Sequence, residues 1–433
     1  MAGLTNPSQI LSQILRGSGW FLAGRAASDA ARLARILVVA AIAAPATLGT
    51  VAAALFVTSC AETLTELGFG ASVVHAGERR REALGAILSA QLTRALIVGV
   101  GIWLSAPTLE SWFAVPRLAW TLRALVLLLI AKGAANPAAA LLGRDGRYGR
   151  LVALSAVDSI SSVGVLLLLL GAFSPLQALV VALVAGQVLR TVGSYVITEL
   201  RPTPTVAFRT LGSHLRFGRW MMAAQVVVFL SLQGDNAVVA KVLGATALGV
   251  YQVAFRLAEI PTLLSSAIVG QAAFPAFSRI GGDRQQLRAE FFSLQRGLLI
   301  ANAGLCAVIW MAGHRAVQVL FGPEWAGAAD LLPLLLSASL LRGTLALGGW
   351  VFLATGLPQW NFAMNAIRLA GFGVAVLPLA FWFGSLGVAA AVALGSISAL
   401  PVYVYGIRRA LGGSWREHFV PVPSPSTRAV TPA

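Results

Sequence analysis

Charged side chains are scarce in this sequence. They make up 11% of its 433 residues, while apolar residues make up 58%, and a typical soluble protein has roughly 25% charged residues. A water-soluble globule of this length could not cover its surface with so few charges, so the composition excludes that class. The mean hydropathy of +0.80 agrees. We therefore expect an integral membrane protein.

Lysine, cysteine and histidine are scarcer still, and each shortage removes a class of chemistry. The two lysines, Lys132 and Lys241, lack the glycine spacing of a phosphate-binding loop, which excludes a P-loop ATPase. Cys60 and Cys306 lie in apolar runs and predict neither a disulfide framework nor a metal site. The histidines show no ligand spacing, and no protease or hydrolase motif occurs. We expect a transporter without a cofactor, not an enzyme, driven by an ion gradient, the membrane potential or its substrate's own gradient.

Apolar stretches long enough to cross a bilayer recur along the chain. A span needs about 20 apolar residues. The sequence predicts an all-α polytopic protein with about 12 spans, at residues 20–43, 48–74, 84–106, 118–142, 151–171, 176–198, 219–243, 247–273, 293–313, 329–355, 361–383 and 385–407.

The net charge of +16 is carried almost wholly by arginine, and the arginines lie between the apolar stretches. If both ends of the chain are cytoplasmic, the outer loops hold only Arg117 and Arg315. The cytoplasmic side then holds 19 arginines: Arg16, Arg79, Arg80, Arg81, Arg144, Arg147, Arg150, Arg201, Arg209, Arg216, Arg219, Arg279, Arg284, Arg288, Arg296, Arg408, Arg409, Arg416 and Arg428. This bias follows the positive-inside rule and predicts cytoplasmic termini. The dispersed pattern argues against nucleic acid as a partner.

A short pattern occurs twice, in the first and seventh predicted spans. Residues 29–37 and 235–243 share D-x-A-x-x-A-[RK]-[IV]-L, and each is followed by A-T and L-G, at 46–49 and 245–249. Because the copies lie six spans apart, they predict two parallel, pseudo-symmetric six-helix lobes. The predicted organisation is a cytoplasmic segment 1–19, a lobe 20–200, a cytoplasmic linker 201–218, a lobe 219–407 and a disordered cytoplasmic tail 408–433.

The predicted spans contain eleven basic and six acidic residues. Ionisable residues inside a membrane usually face a cavity or pair with one another. Several fall on one helix face: Arg25, Asp29, Arg32 and Arg35 in the first span, Glu62 and Glu66 in the second, and Arg256 and Glu259 in the eighth. The excess of positive charge predicts a central cationic cavity whose guest is an anion.

Several segments resemble the Wzx-type polysaccharide flippases of the multidrug/oligosaccharidyl-lipid/polysaccharide exporter superfamily. The most specific is the run from Gly234 to Pro261, GDNAVVAKVLGATALGVYQVAFRLAEIP, which is continued by AFPAFSR at 273–279. Matching elements of the first lobe are ARIL at 34–37, PATLG at 45–49 and ELGFG at 66–70.

This resemblance implies a flippase of the bacterial inner membrane. It would move undecaprenyl-pyrophosphate-linked oligosaccharides (repeat units of O-antigen, capsule or exopolysaccharide) from the cytoplasmic to the periplasmic leaflet by alternating access. Its partners would be the lipid-linked substrate, membrane lipids, a proton or sodium ion, and a polymerase and glycosyltransferases of the pathway. The alternatives are a multidrug extruder of the same superfamily, a lipid II flippase, and a membrane glycosyltransferase or ligase. The net cationic spans disfavour the extruder, and short loops disfavour the enzymes.

Three sets of residues are predicted to form the site. The substrate pyrophosphate is expected to bind Arg25, Arg32, Lys241 and Arg256, because guanidinium groups match phosphate oxygens. Asp29 and Asp235, at the same place in the two copies of the repeat, are predicted to couple transport to an ion, with a packing role as the alternative. Supporting cavity charges are Glu62, Glu66, Glu259, Arg342 and Arg368.

Overall fold

A computed structural model describes residues 28–66, 68–205, 225–280 and 284–412 of the chain. Every regular element within these ranges is helical, as the apolar runs predict, and none is a strand. In chain order the helices are α1 (28–42), α2 (Pro45–Thr65), α3 (Phe69–Ala76), α4 (Arg81–Phe113), α5 (Leu118–Gly133), α6 (Leu141–Arg144), α7 (Tyr148–Leu169), α8 (Pro175–Ile197), α9 (225–238), α10 (Gly244–Ile280), α11 (Arg284–Phe321), α12 (Ala326–Ala354), α13 (Pro358–Ser398) and α14 (Leu400–Leu411).

Eight helical stretches in the described part are long and apolar enough to cross a bilayer. A ninth is the pair Leu118–Gly133 and Pro137–Arg144, which is bent by 70°. Two of the eight are much longer than one crossing needs: Gln225–Leu263 has 39 residues and Pro358–Leu411 has 54. The predicted segment 1–19, most of the linker 201–218 and the tail from residue 413 lie outside the described residues.

Two predicted spans end earlier than the apolar pattern indicates. The span expected at 48–74 stops at Thr65, and a separate α3 follows Gly68, whose φ of 63° lies in the left-handed region that favours glycine. The span expected at 118–142 stops at Gly133. Asn136 there precedes a proline, which disfavours helical backbone, and its side-chain amide donates to Thr198 Oγ1 (2.7 Å) and to the Leu200 carbonyl (2.8 Å). These local interactions outweigh the apolar pattern.

Other boundaries follow local sequence signals. The helix α8 begins at Pro175 behind a capping box between Ser174 and Gln177. Gly384, with φ 58° and ψ −134°, divides α13 at the point where the sequence predicts the break between its last two spans. The chain after α9 forms one π-helical turn, Val239–Leu243, before α10 begins.

The order of helix packing recurs in the two halves of the chain. In the first half α2 packs on α4 and α5, and α4 packs on α5. In the second half α10 packs on α11 and α12, and α11 packs on α12. The helices α2 and α10 also pack extensively on each other, so they join the two halves. The largest apolar core extends across this junction and includes Tyr251 and Trp325.

Candidate functional site

The junction between α2 and α10 is a reciprocal contact of two glycines. A Cβ atom added to Gly49 would lie 1.7 Å from the Ala245 carbonyl oxygen, and one added to Gly249 would lie 1.9 Å from that of Pro45. Both glycines end the A-T…L-G part of the repeat. Only glycine allows the backbones to approach this closely, so the repeated sequence element is also the place where the halves touch.

A cavity of about 230 Å³ adjoins this junction. Its wall combines an apolar surface from α2 and α8 with polar groups from α1, α2, α9 and α10. Phe56 of α2 and Phe229 of α9, which both line it, stack with ring centroids 5.7 Å apart. The polar lining consists of Arg35, Ser59, Gln233, Asn236, Gln252 and Arg256.

Two arginines, one from each half, give this cavity its charge. Arg35 on α1 is held by α7, since its Nη1 donates to Ser162 Oγ at 2.7 Å. Arg256 on α10 is held by its own helix, since its Nη1 donates to Glu259 Oε2 at 2.9 Å. The charge of Arg35 is attracted by Asp158 and, more weakly, repelled by Arg32 and Arg256. Beside them the Gln252 side-chain amide donates to Asn236 Oδ1 at 2.7 Å. Such a surface suits a polar anion.

The predicted substrate-binding residues do not all gather here. Arg256 lines the cavity, but Arg32 is not part of its lining. The Arg32 side chain is 45% exposed, and its Nη1 lies 3.5 Å from Asp29 Oδ1. Lys241 is exposed, its Nζ donates to the Trp112 carbonyl, and it lies 4.6 Å from the centroid of the Trp112 ring. Arg25 lies outside the described residues.

Arg35 is a charged residue of the cavity that was not among the predicted site residues. The repeat aligns Arg35 with Lys241, yet the structure places only Arg35 at the cavity. Lys241 lies within the π-helical turn Val239–Leu243. A π-helical turn contains one more residue than an α-helical turn, which changes the helix face on which a side chain lies. The sequence feature that could have identified Arg35 as a cavity residue is its position on the same helix face as Arg25, Asp29 and Arg32.

The two aspartates predicted to couple an ion lie in different surroundings. Asp29 pairs with Arg32 of its own helix. Asp235 is only 5% exposed; its Oδ2 accepts from the Tyr251 hydroxyl at 2.7 Å and its Oδ1 from the Asn236 N–H at 2.9 Å. It lines a second cavity, of about 20 Å³, inside the C-terminal half.

The residues predicted as supporting cavity charges also lie in different places. Glu62 accepts from Lys132 Nζ at 2.8 Å, which joins α2 to α5. Glu66 lies just beyond the last residue of α2 and is exposed, so it does not share a helix face with Glu62. Arg342 and Arg368 line the second cavity beside Asp235. Among the described residues, no group of three or more histidine, cysteine or acidic side chains could hold a metal ion.

Comparison with known proteins places the chain in a family. A model of the polysaccharide biosynthesis protein family matches residues 33–330, which is more than half of the chain. The chain belongs to this family. It is a multi-pass membrane protein, and this family's place in polysaccharide biosynthesis agrees with the resemblance noted from the sequence.

Individual family members are similar over most of the chain. The succinoglycan biosynthesis transport protein ExoT of Rhizobium meliloti (strain 1021) is 25% identical over 76% of this chain and 67% of its own length. The lipopolysaccharide biosynthesis protein WzxC of Escherichia coli (strain K12) is 23% identical over 86% of this chain and 76% of its own.

Solved transporters share the fold. The lipid II flippase MurJ in an inward closed conformation superposes with a TM-score of 0.76 at 12% identity, covering 90% of this chain and 87% of its own. An inward-facing MATE family multidrug resistance transporter of the MOP superfamily gives 0.63 at 16% identity, covering 90% and 94%. The chain therefore shares its fold with these solved transporters.

Proposed function

We propose that this family member is a flippase that moves a lipid-linked oligosaccharide across the bacterial inner membrane, from the cytoplasmic to the periplasmic leaflet. The observation that carries the proposal is the cavity between the two halves, in which Arg35 and Arg256 face the same space. The names of two relatives support it, since ExoT is a succinoglycan biosynthesis transport protein and WzxC is a lipopolysaccharide biosynthesis protein.

The cavity matches the headgroup of such a substrate. A pyrophosphate carries negative charge on several oxygens, and arginine binds phosphate oxygens through two parallel hydrogen bonds. The amides of Gln233, Asn236 and Gln252 supply donors and acceptors for sugar hydroxyls. A cavity of about 230 Å³ is smaller than ordinary ligand pockets of about 300–1,000 Å³. It would hold the pyrophosphate and the sugar next to it, while the lipid tail stays in the bilayer.

The proposed architecture has twelve crossings in two lobes, residues 20–200 and 219–407, with both termini cytoplasmic. The mutual packing of α10, α11 and α12 repeats that of α2, α4 and α5, which supports two lobes. Two helical stretches, Gln225–Leu263 and Pro358–Leu411, are each long enough for two crossings, which supports the count of twelve. In this topology the glycine junction lies at the periplasmic ends of α2 and α10, so it would close the cavity on that side and separate when the substrate leaves.

Cysteine labelling in whole cells tests the topology. After Cys60 and Cys306 are replaced by alanine, a Glu110→Cys variant should react with a membrane-impermeant maleimide in intact cells. A Gly356→Cys variant should react only after permeabilisation, since the loop after α12 is cytoplasmic in this arrangement. The reverse pattern would exclude the proposed orientation.

Rescue of surface polysaccharide in flippase-deficient bacteria tests the function. The chain should restore the polysaccharide in a strain that assembles a matching repeat unit, whereas Arg35→Gln and Arg256→Gln variants expressed at the same level should not. Arg123→Gln is the matched control, because Arg123 lies over the Trp103 ring at 5.5 Å, outside the cavity lining. Efflux of a cationic dye without any rescue would instead identify a multidrug extruder, for which a cationic cavity is poorly suited.

A further inference from the structure

The second cavity, inside the C-terminal half, has a lining unlike that of the first. Its polar residues come from three helices: Ser231 and Asp235 from α9, Arg342 from α12, and Arg368 and Ser396 from the two sides of the break in α13. Apolar side chains of α13 complete the wall. No role in binding the lipid-linked headgroup has been assigned to this cavity.

The arginines of this cavity have unused hydrogen-bond donors. Arg342 is only 9% exposed, and its Nε and Nη2 atoms are buried without a hydrogen-bond partner. The Nε of Arg368 is buried without a partner as well. A guanidinium group has five N–H donors and no acceptor. Buried Nε atoms without a partner also occur in Arg123 and Arg256, but Arg342 adds an unpartnered Nη2, and its guanidinium lies over the Phe255 ring at 5.1 Å from the centroid. An acceptor inside the cavity would satisfy these donors.

The charge of the cavity is also unbalanced. Asp235 is the carboxylate that lines it, and its oxygens accept from Tyr251 and from the Asn236 N–H. Among the described residues, neither Arg342 nor Arg368 forms an ion pair with a carboxylate, although Arg342 attracts Asp235 and repels Arg368 at longer range. Two cations and one anion leave one positive charge. Uncompensated charge within a membrane protein is costly.

The size of the cavity selects the kind of ligand that could supply the missing acceptor. Its volume of about 20 Å³ slightly exceeds the roughly 10–15 Å³ that one water molecule requires. A small monatomic ion fits, whereas a pyrophosphate or a sugar does not. The hydroxyls of Ser231 and Ser396 donate to carbonyl oxygens of their own helices, at 2.8 and 3.0 Å, so the arginines are the main donors.

We propose that the C-terminal half of this protein binds one small monovalent anion, of the halide class, between Arg342 and Arg368. The anion neutralises the remaining charge, accepts from the unused guanidinium donors and ties α12 to α13. This site is separate from the Arg35–Arg256 cavity, so it does not depend on the identity of the transported substrate.

Thermal unfolding of the purified full-length protein in detergent tests the site. Sodium chloride and sodium bromide are titrated against sodium gluconate at constant ionic strength. The halides should raise the unfolding temperature in a saturable manner, because a ligand that binds only the folded state stabilises it. Gluconate is too large for the cavity and should have no such effect. Identical unfolding in chloride and gluconate would overturn the proposal.

Variants locate the anion. Arg342→Gln and Arg368→Gln should abolish the halide response, while Arg123→Gln and Arg256→Gln should retain it. Loss of the response in Arg256→Gln with its retention in Arg368→Gln would place the anion in the larger cavity and overturn the assignment. If the arginine variants do not fold, crystals of the unmodified protein grown in bromide decide the question. Anomalous scattering should then show a peak between Arg342 and Arg368, and density for water alone there would contradict the proposal.

Discussion

The N-terminal and C-terminal halves share an order of helix packing, but their matched aspartates, Asp29 and Asp235, have different partners. In the N-terminal half Glu62 lies 2.8 Å from Lys132, and Asp29 lies 3.5 Å from Arg32. In the C-terminal half Asp235 bonds to a tyrosine and a backbone amide, and two arginines beside it have no ion-pair partner among the described residues. Equivalent positions in a repeat can therefore keep the same residue type while the groups that bind their side chains differ.

Replacing the two matched aspartates by asparagine is the strongest test of this difference. Asp235→Asn should lower the free energy of unfolding by about 1–3 kcal/mol, because the buried hydrogen bonds from the Tyr251 hydroxyl and the Asn236 N–H lose their carboxylate acceptor. Asp29→Asn should cost only about 0–1 kcal/mol, since its partner Arg32 is half-exposed. Chemical unfolding in detergent measures both. Equal losses would mean that the halves do not differ in this respect.

The same two variants test the coupling hypothesis for these aspartates. If they couple transport to an ion, folded Asp29→Asn and Asp235→Asn proteins should transport without any response to a proton or sodium gradient. Transport by proteoliposomes with imposed gradients measures this. A response equal to that of the unmodified protein in both variants would leave the aspartates with a packing role.

The glycine junction between α2 and α10 is a feature in which the two halves should respond equally to substitution. Gly49→Ala and Gly249→Ala should each lower the free energy of unfolding by about 1–3 kcal/mol, and by similar amounts, since both would drive a Cβ into a facing carbonyl. Gly101→Ala on α4 is the control, because a Cβ there meets no atom within 4 Å. A marked difference between the two junction variants would show that the contact is not reciprocal.

Arg35 and Lys241 test the effect of the π-helical turn on matched basic residues. Lys241→Gln removes a cation–π contact with Trp112 and should cost about 0.5–1 kcal/mol of stability. It should leave the binding of undecaprenyl pyrophosphate unchanged, whereas Arg35→Gln should weaken it at least tenfold. Native mass spectrometry of both variants measures that binding. If both variants weaken the binding of undecaprenyl pyrophosphate equally, Lys241 belongs to the binding site.

Much of this arrangement follows from local sequence. The apolar runs predict the helices, Gly384 lies at the predicted break in α13, and Arg256 and Glu259 share a helix face as their spacing indicates. Contacts between distant segments do not follow, because they depend on packing. The Glu62–Lys132 pair joins residues 70 positions apart, and the role of Gly49 requires its partner helix.

The residues predicted for the site lie only partly in one cavity. The cationic cavity was expected, but Arg35 was not assigned to it and Lys241 was. A π-helical turn depends on how a helix packs, and a shared motif gives no sign of it. Likewise the apolar run through α2 conceals its end at Thr65, which separates Glu62 from Glu66.

The smallest expected effect concerns a surface ion-pair group in the N-terminal half. Arg147 and then Arg150 lower the pKa of the Glu199 carboxyl below its ordinary value, the first through a hydrogen bond of 2.5 Å. A lowered pKa in the folded state adds stability above the ordinary pKa of about 4.3, and this is lost as the pH falls through the lowered value.

Glu199→Gln should therefore reduce the unfolding temperature slightly at pH 7, and the reduction should become smaller as the pH falls through the lowered pKa of Glu199. Glu324→Gln is the control, since Glu324 forms no ion pair with any described residue. A larger reduction of the unfolding temperature by Glu199→Gln at low pH than at pH 7 would contradict this account.

The central claim is that Arg35 and Arg256, one from each half, bind the headgroup during translocation. Its most direct test is the flipping of a fluorescent undecaprenyl-pyrophosphate-linked oligosaccharide in proteoliposomes, followed by quenching of the label in the outer leaflet. Arg35→Gln and Arg256→Gln proteins should each lose translocation although they remain folded, and Arg123→Gln should keep it. Translocation at the unmodified rate by the Arg35→Gln and Arg256→Gln proteins would contradict the account.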